Sequence, residues 1–329
     1  MKIKESILDY LLPVFRIIRL RIYLLKMVSS QNKLAKTKKN QEEAFLELRK
    51  DFAEKYFSID TKKYKYGKFV AKLWKGYDKK LEKVLLPYPP FSFLRHPMFM
   101  KSFFATSGGK WLEKEIAYLS KRLSRPRLKF LLQEEYVGKP LILNNTYLTS
   151  HHTIHILYNL EKFLEKTNCN LKQVKTIVEW GGGYGTLAKI IKKIKNDKFT
   201  YVIIDLPIVC VLQWLYLSTI FKSENINLIT NPSGSILTGK INLLPVCLAD
   251  TFEVKADLFI STWALSESSK YSQDFVLKRE WFSAKHLMLA YHGNAKGLPD
   301  SKRVGDLAKK TGAAIEEIEF IKGNYYAFL

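Results

Sequence analysis

The octapeptide Val178-Glu179-Trp180-Gly181-Gly182-Gly183-Tyr184-Gly185 leaves this chain few ways to fold. It follows an apolar, β-branched run and opens a stretch of helical texture. That order predicts a strand, a tight turn and a helix in succession. Glycines at 181, 183 and 185 let the backbone turn sharply and approach a ligand closely. The helix that starts there faces the turn with unpaired N–H groups. The sequence downstream keeps the same rhythm. Strands are expected at 175–179, 200–204, 242–248, 257–262 and 286–291. Helices are expected between them, at 185–195, 207–222, 271–283 and 302–311. Such alternation is the signature of a parallel α/β sheet. Residues 314–320 and 325–329 flank Gly323-Asn324 and read as a terminal antiparallel hairpin.

Two ligand classes use a glycine turn of this kind. A dinucleotide site needs a Gly or Ala at the last position of its fingerprint, and counting from Gly181 that position holds Thr186. Glu179 stands two residues before the first glycine. A carboxylate there suits the cationic amino group of S-adenosylmethionine and is poorly placed beside a pyrophosphate. Asp205 ends the next strand in Ile203-Ile204-Asp205-Leu206-Pro207, where a carboxylate can accept both ribose hydroxyls. Asp250 and Thr251 follow the third strand, where Asp250 can accept an adenine amino group. Ser261 lies at the C-terminal end of the fourth strand, on the ligand-bearing edge of α/β sheets. The expected cofactor contacts are therefore Glu179, Gly181, Gly183, Tyr184, Gly185, Asp205, Leu206, Asp250, Thr251 and Ser261.

A hydroxyl nucleophile needs a base near it. His292 follows the fifth strand and Glu267 lies beyond the fourth, both on the ligand-bearing edge, and these are the catalytic candidates. His151, His152 and His155 precede the glycine turn and are expected to line an acceptor pocket. His151 and His155 have the spacing of a metal pair on a helix face, but no carboxylate is near them in sequence, and no metal is expected.

Residues 1–140 read as a mainly helical region, set before a cofactor domain at 141–329. Residues 30–85 are lysine-rich and read as helical, residues 86–98 hold four prolines and read as a linker, and 110–136 read as helical again. Ser150 or Thr149 is placed to cap the next helix. Residues 6–28 are apolar but broken by Pro13, Arg16, Arg19, Arg21 and Lys26. They fit a basic amphipathic helix at a membrane surface, or one packed on the protein's own core, rather than a bilayer span. Cys169, Cys210 and Cys247 are far apart, which suggests a reducing, cytoplasmic setting, with peripheral contact at the inner face of the membrane through 6–28. The net charge is +23, with a surplus of +18 in residues 1–150. A basic half of this kind fits nucleic acid, anionic lipid or an anionic substrate. Lysine-rich composition, 44 Lys against 10 Arg, is an equally simple explanation.

The segment 174–267 resembles the bacterial sugar O-methyltransferase family, through Glu-x-Gly-Gly-Gly-Tyr-Gly, Ile-Ile-Asp-Leu-Pro and Ser-x-x-x-Leu-Ser-Glu in order. The resemblance implies a Rossmann-like class I methyltransferase sheet, S-adenosylmethionine as cofactor, and a sugar or glycan hydroxyl as acceptor in surface-polysaccharide synthesis. One departure stands out. Plant-type small-molecule methyltransferases carry a catalytic histidine shortly after strand four, where this chain has Ala264-Leu265-Ser266-Glu267-Ser268-Ser269. A nucleic-acid methyltransferase is the competing reading, favoured by charge and disfavoured by Ser261-Thr262-Trp263-Ala264, where base-modifying enzymes commonly carry Asn/Asp-Pro-Pro-aromatic. A non-catalytic binding protein on the same scaffold is the third.

Overall fold

The computed structural model describes residues 25, 28–61, 63, 66–103, 110–195 and 198–329. The expected amphipathic helix at 6–28 lies almost wholly outside them. Among the described residues no helix is long and apolar enough to cross a membrane.

Among the described residues eight strands form one sheet: β1 (Thr176–Trp180), β2 (Thr200–Asp205), β3 (Ile226–Leu228), β4 (Ile241–Pro245), β5 (Leu258–Thr262), β6 (His286–His292), β7 (Ala314–Glu317) and β8 (Asn324–Phe328). Their spatial order is β3-β4-β2-β1-β5-β6-β8-β7. All neighbours pair parallel until β8, which runs antiparallel to both β6 and β7. Parallel order running outward both ways from β1, closed by a reversed hairpin, is the class I methyltransferase plan. The central strands are continuous apolar runs because both faces of the sheet are covered.

Helices among the described residues include α1 (Asn40–Leu48), α2 (Phe52–Phe57), α3 (Tyr77–Leu85), α4 (Pro97–Phe103), α5 (Lys110–Arg122), α6 (Arg125–Leu132), α7 (His151–Thr167), α8 (Thr186–Ile194), α9 (Pro207–Phe221), α10 (Lys270–Lys278) and α11 (Arg303–Lys310). Helix α9 is apolar all round, as a helix must be when no face meets water. One side packs on β3 and β4, and α1 and α2 cover the other. The N-terminal helices thus share the main core, which runs from Phe45 through Trp214 to Phe328.

Ser150 caps α7 by accepting the Thr153 N–H at 3.2 Å. Its hydroxyl also donates to Glu134, which accepts from Thr153 Oγ1 and from the fully buried Lys189 Nζ at 2.8 Å. A buried ion pair holds only when its remaining lone pairs are also satisfied, and these hydroxyls do that. The network joins the start of α7 to α8, the helix behind the glycine turn.

Three expectations change. The helical reading of 30–85 breaks after Phe57, and residues 66–76 form an irregular strap with a short helical turn at Lys72–Trp74. Lysine favours helices locally, but Gly76 sits at φ +80° and the strap's Phe69 packs on the sheet side instead. The expected strand 242–248 stops at Pro245, which cannot donate to a ladder. The expected helix 271–283 ends at Lys278, and Glu280–Ser283 take left-handed backbone angles that turn Trp281 and Phe282 into the core.

Candidate active site

The C-terminal ends of β1, β2, β5 and β6 open on a cavity of about 450 Å³. Its wall includes Glu179, Gly181, Gly183, Asp205 and Leu206 from the expected cofactor set, and both catalytic candidates, Glu267 and His292.

The glycine turn is built as its sequence demands. Gly181, Gly183 and Gly185 all have positive φ. A Cβ on Gly181 would stand 2.1 Å from the Ala264 Cβ, and one on Gly182 would stand 2.7 Å from Ile203 Cγ2. The turn therefore presses directly against β2 and the segment after β5, leaving backbone rather than side chain at the cavity wall.

Glu179 is 2% exposed, and its carboxylate accepts the Tyr201 hydroxyl at 2.8 Å. Burial pushes its carboxyl up to about 8, a rise opposed by the Tyr201 bond and reinforced by nearby Asp205. Asp205 is half-buried, and burial pushes it up to about 7. Its Oδ2 accepts from Gly182 N–H at 3.0 Å and Gln213 Nε2 at 2.9 Å, and its Oδ1 accepts from Leu206 N–H at 2.8 Å. A carboxylate has about four acceptor positions, so Asp205 keeps room for roughly one ligand hydroxyl rather than two. Its first duty is to clamp the glycine turn to the start of α9. Asp205→Ala is expected to weaken cofactor binding by roughly 1–3 kcal/mol, because those donors lose their partner. Calorimetric titration with S-adenosylhomocysteine checks this, and an unchanged affinity removes Asp205 from the site.

The other five expected cofactor residues lie outside the cavity wall. Tyr184 is fully buried and meets Tyr216 edge-on. Gly185 caps α8 and lets it approach Leu217. Ser261 spends its hydroxyl on Trp180 O and Leu265 N–H, bracing the ends of β1 and β5. Asp250 and Thr251 sit exposed on the turn after β4, where Asp250 pairs with Lys68 of the strap at 2.5 Å. The short strand β4 explains their position, since the turn at Val246–Thr251 carries them past the pocket and leaves Val246 at its wall.

His292 Nε2 and Glu267 Oε1 meet at 2.9 Å, both about a quarter exposed. Donation of Nε2–H to the carboxylate leaves the lone pair of the ring on Nδ1. Of the N-terminal histidines, His152 and His155 line the cavity and His151 does not. Burial pushes His152 down to about 3, so it stands neutral at ordinary pH.

Sequence reasoning missed the strap. Phe69, Val70, Ala71 and Trp74 all line the cavity. Val70 forms an antiparallel bridge with Ser268, and the Ser269 and Ser272 hydroxyls donate to the carbonyls of Lys68 and Phe69. The signal available was the break at Gly67 and Gly76, with aromatic residues between lysines. Trp263, just after β5, holds φ +66°, and its indole N–H donates to Asn324 at 2.8 Å. Such backbone strain in a bulky residue is typical of binding sites.

No protein-family model and no curated protein matches the chain. Among solved structures it is similar to an S-adenosylmethionine-dependent methyltransferase from Aquifex aeolicus, at 16% identity over 51% of this chain and 88% of that one, with a TM-score of 0.34. It is also similar to a magnesium protoporphyrin IX methyltransferase from Synechocystis PCC 6803, at 11% identity over 53% and 81%, with a TM-score of 0.36. A riboflavin-derivative dimethyltransferase from Streptomyces davawensis aligns at 13% identity over 72% and 70%, with a TM-score of 0.35.

Proposed function

We propose that this protein is an S-adenosylmethionine-dependent O-methyltransferase acting on a sugar hydroxyl, in surface-polysaccharide synthesis. The observation that carries the cofactor is the charge of the cavity wall. Among the described residues it bears three carboxylates, Glu179, Asp205 and Glu267, and no lysine or arginine, in a chain of net charge +23. Buried carboxylates without a cation are costly and call for a positively charged ligand. A ligand with an ammonium and a sulfonium meets that need, and a pyrophosphate does not. Glu179 would hold the amino group, Asp205 a ribose hydroxyl, and the glycine turn the backbone-facing edge.

S-adenosylmethionine bound there supplies the methyl group: the C–S bond breaks as the C–O bond forms, and sulfur keeps the electron pair. His292 Nδ1 takes the acceptor's hydroxyl proton, while Glu267 fixes the ring and steadies the imidazolium. The strap and Trp263 close the cavity around the reacting groups, and much of the rate comes from that positioning. The resemblance of residues 174–267 to sugar O-methyltransferases supports the acceptor class. A wall without lysine or arginine among the described residues speaks against a phosphate-bearing acceptor entering it, and with it against nucleic acid.

Calorimetric titration with S-adenosylhomocysteine, with NAD in parallel, tests the reading. Micromolar binding of the first and none of the second is expected. Binding of NAD instead would replace the proposal with an oxidoreductase.

A further inference from the structure

A second histidine–carboxylate pair, built from helices outside the sheet, stands behind the same cavity, and its histidine is part of the wall. His155 of α7 and Glu115 of α5 meet at 2.6 Å through Nδ1 and Oε1. Glu115 is fully buried, and its Oε2 has no hydrogen-bond partner. A pair serving the core alone would be expected to have its second oxygen satisfied as well. With Nδ1 engaged by Glu115, the ring keeps Nε2, which bonds to no described residue, and the imidazole is part of the cavity wall. The ring lies beside the Trp263 indole, with centroids 5.5 Å apart. The N–H of that indole bonds to Asn324, the strand partner of His292. Trp263 therefore links the two pairs, and each pair has a histidine oriented by a carboxylate.

We propose that His155, positioned by Glu115, is a second hydrogen-bonding group of the acceptor subsite, so that one acceptor presents two hydroxyls, one to His292 and one to His155. The inference rests on the O-methyltransferase reading and narrows it. The acceptor is an uncharged ring with several hydroxyls, lying against Trp263, and a molecule with a lone hydroxyl is a poor one.

The test uses the full chain with isotope-labelled histidine, loaded with S-adenosylhomocysteine and followed by NMR. The probes are the methyl α-glycosides of glucose, galactose and mannose, with phenol as the single-hydroxyl control. His155→Gln and His292→Gln assign the two imidazole signals. At least one glycoside is expected to move both signals with a common dissociation constant, and phenol to leave His155 still. His155→Gln is expected to weaken that glycoside about tenfold, the usual loss for one hydrogen bond in a closed site. If that variant does not fold, monodeoxy analogues on the unaltered protein give the same reading, since removal of one hydroxyl abolishes the His155 shift alone. A His155 signal that ignores all three glycosides overturns the inference, as does equal affinity in His155→Gln. Calorimetry beforehand separates the two failures. Absent binding of S-adenosylhomocysteine removes the function reading, and a loaded protein with a silent His155 removes only this inference.

Discussion

Glu179→Gln is expected to do two opposite things: weaken S-adenosylhomocysteine by about 10- to 100-fold and raise the melting temperature of the free protein. The affinity loss follows from removing a charge-assisted hydrogen bond in a buried site, worth roughly 1.5–3 kcal/mol. Glutamine keeps an acceptor for the Tyr201 hydroxyl, so the change removes the charge without orphaning the neighbour. The stability gain follows from the carboxyl's position at about 8, well above the ordinary 4.5. A carboxyl raised in the folded state holds its proton there after the unfolded chain has lost it. Stability is then full below about 4.5 and falls as pH rises toward 8. Asp205, raised to about 7, adds to the same slope. The variant's advantage in thermal melts should accordingly be near zero around pH 4.5 and largest near pH 8. Cofactor binding reverses the sign. A cationic amino group favours the ionised carboxylates, so the unaltered protein should release a proton on binding, and its affinity should climb between about pH 6 and 8. Calorimetry in buffers of different ionisation enthalpy measures that proton. Affinity independent of pH, together with an unaffected Glu179→Gln, would take Glu179 out of the amino-group site.

His292→Ala is expected to lower kcat by roughly 10²- to 10⁴-fold, the range of a positioned general base. The measurement is transfer of labelled methyl groups from S-adenosylmethionine to a glycan acceptor. Cofactor affinity should change far less, because the expected amino-group and ribose contacts lie on β1 and β2. Glu267→Gln should fall between the variant and the unaltered enzyme, since it leaves the imidazole in place and removes the carboxylate that orients it at 2.9 Å. Turnover that survives in His292→Ala would pass the proton to another group on the wall, and His155 is then the group to replace.

The site divides cleanly into parts that local sequence encodes and parts it does not. The strand, turn and helix at 176–194 could be read because glycines at positive φ and an apolar β-branched run leave one local solution. The place of Glu179 and Asp205 at the cavity was legible for the same reason, since Asp205 ends β2, Glu179 stands one residue before the end of β1, and ligands of parallel sheets bind at that edge. Asp250 and Thr251 were placed by analogy with that rule, and the early end of β4 at Pro245 swings them outward. Tyr184 and Gly185 follow the same turn but face the helices behind it, a choice made by Tyr216 and Leu217 of α9.

The sequence by itself determined the α/β order, the glycine turn, the acidic residues at or beside the ends of two strands, and a His and a Glu on the edge of the sheet where the cavity opens. These follow from periodicity and from the backbone freedom of glycine, which act over a few residues. Only the tertiary structure decided that residues 66–76 leave the helical path to wall the cavity, that His292 meets Glu267, and that Glu115 reaches His155 from forty residues away. Those contacts are set by how α5, α7 and the strap pack across the sheet, and long-range packing leaves no period in a sequence.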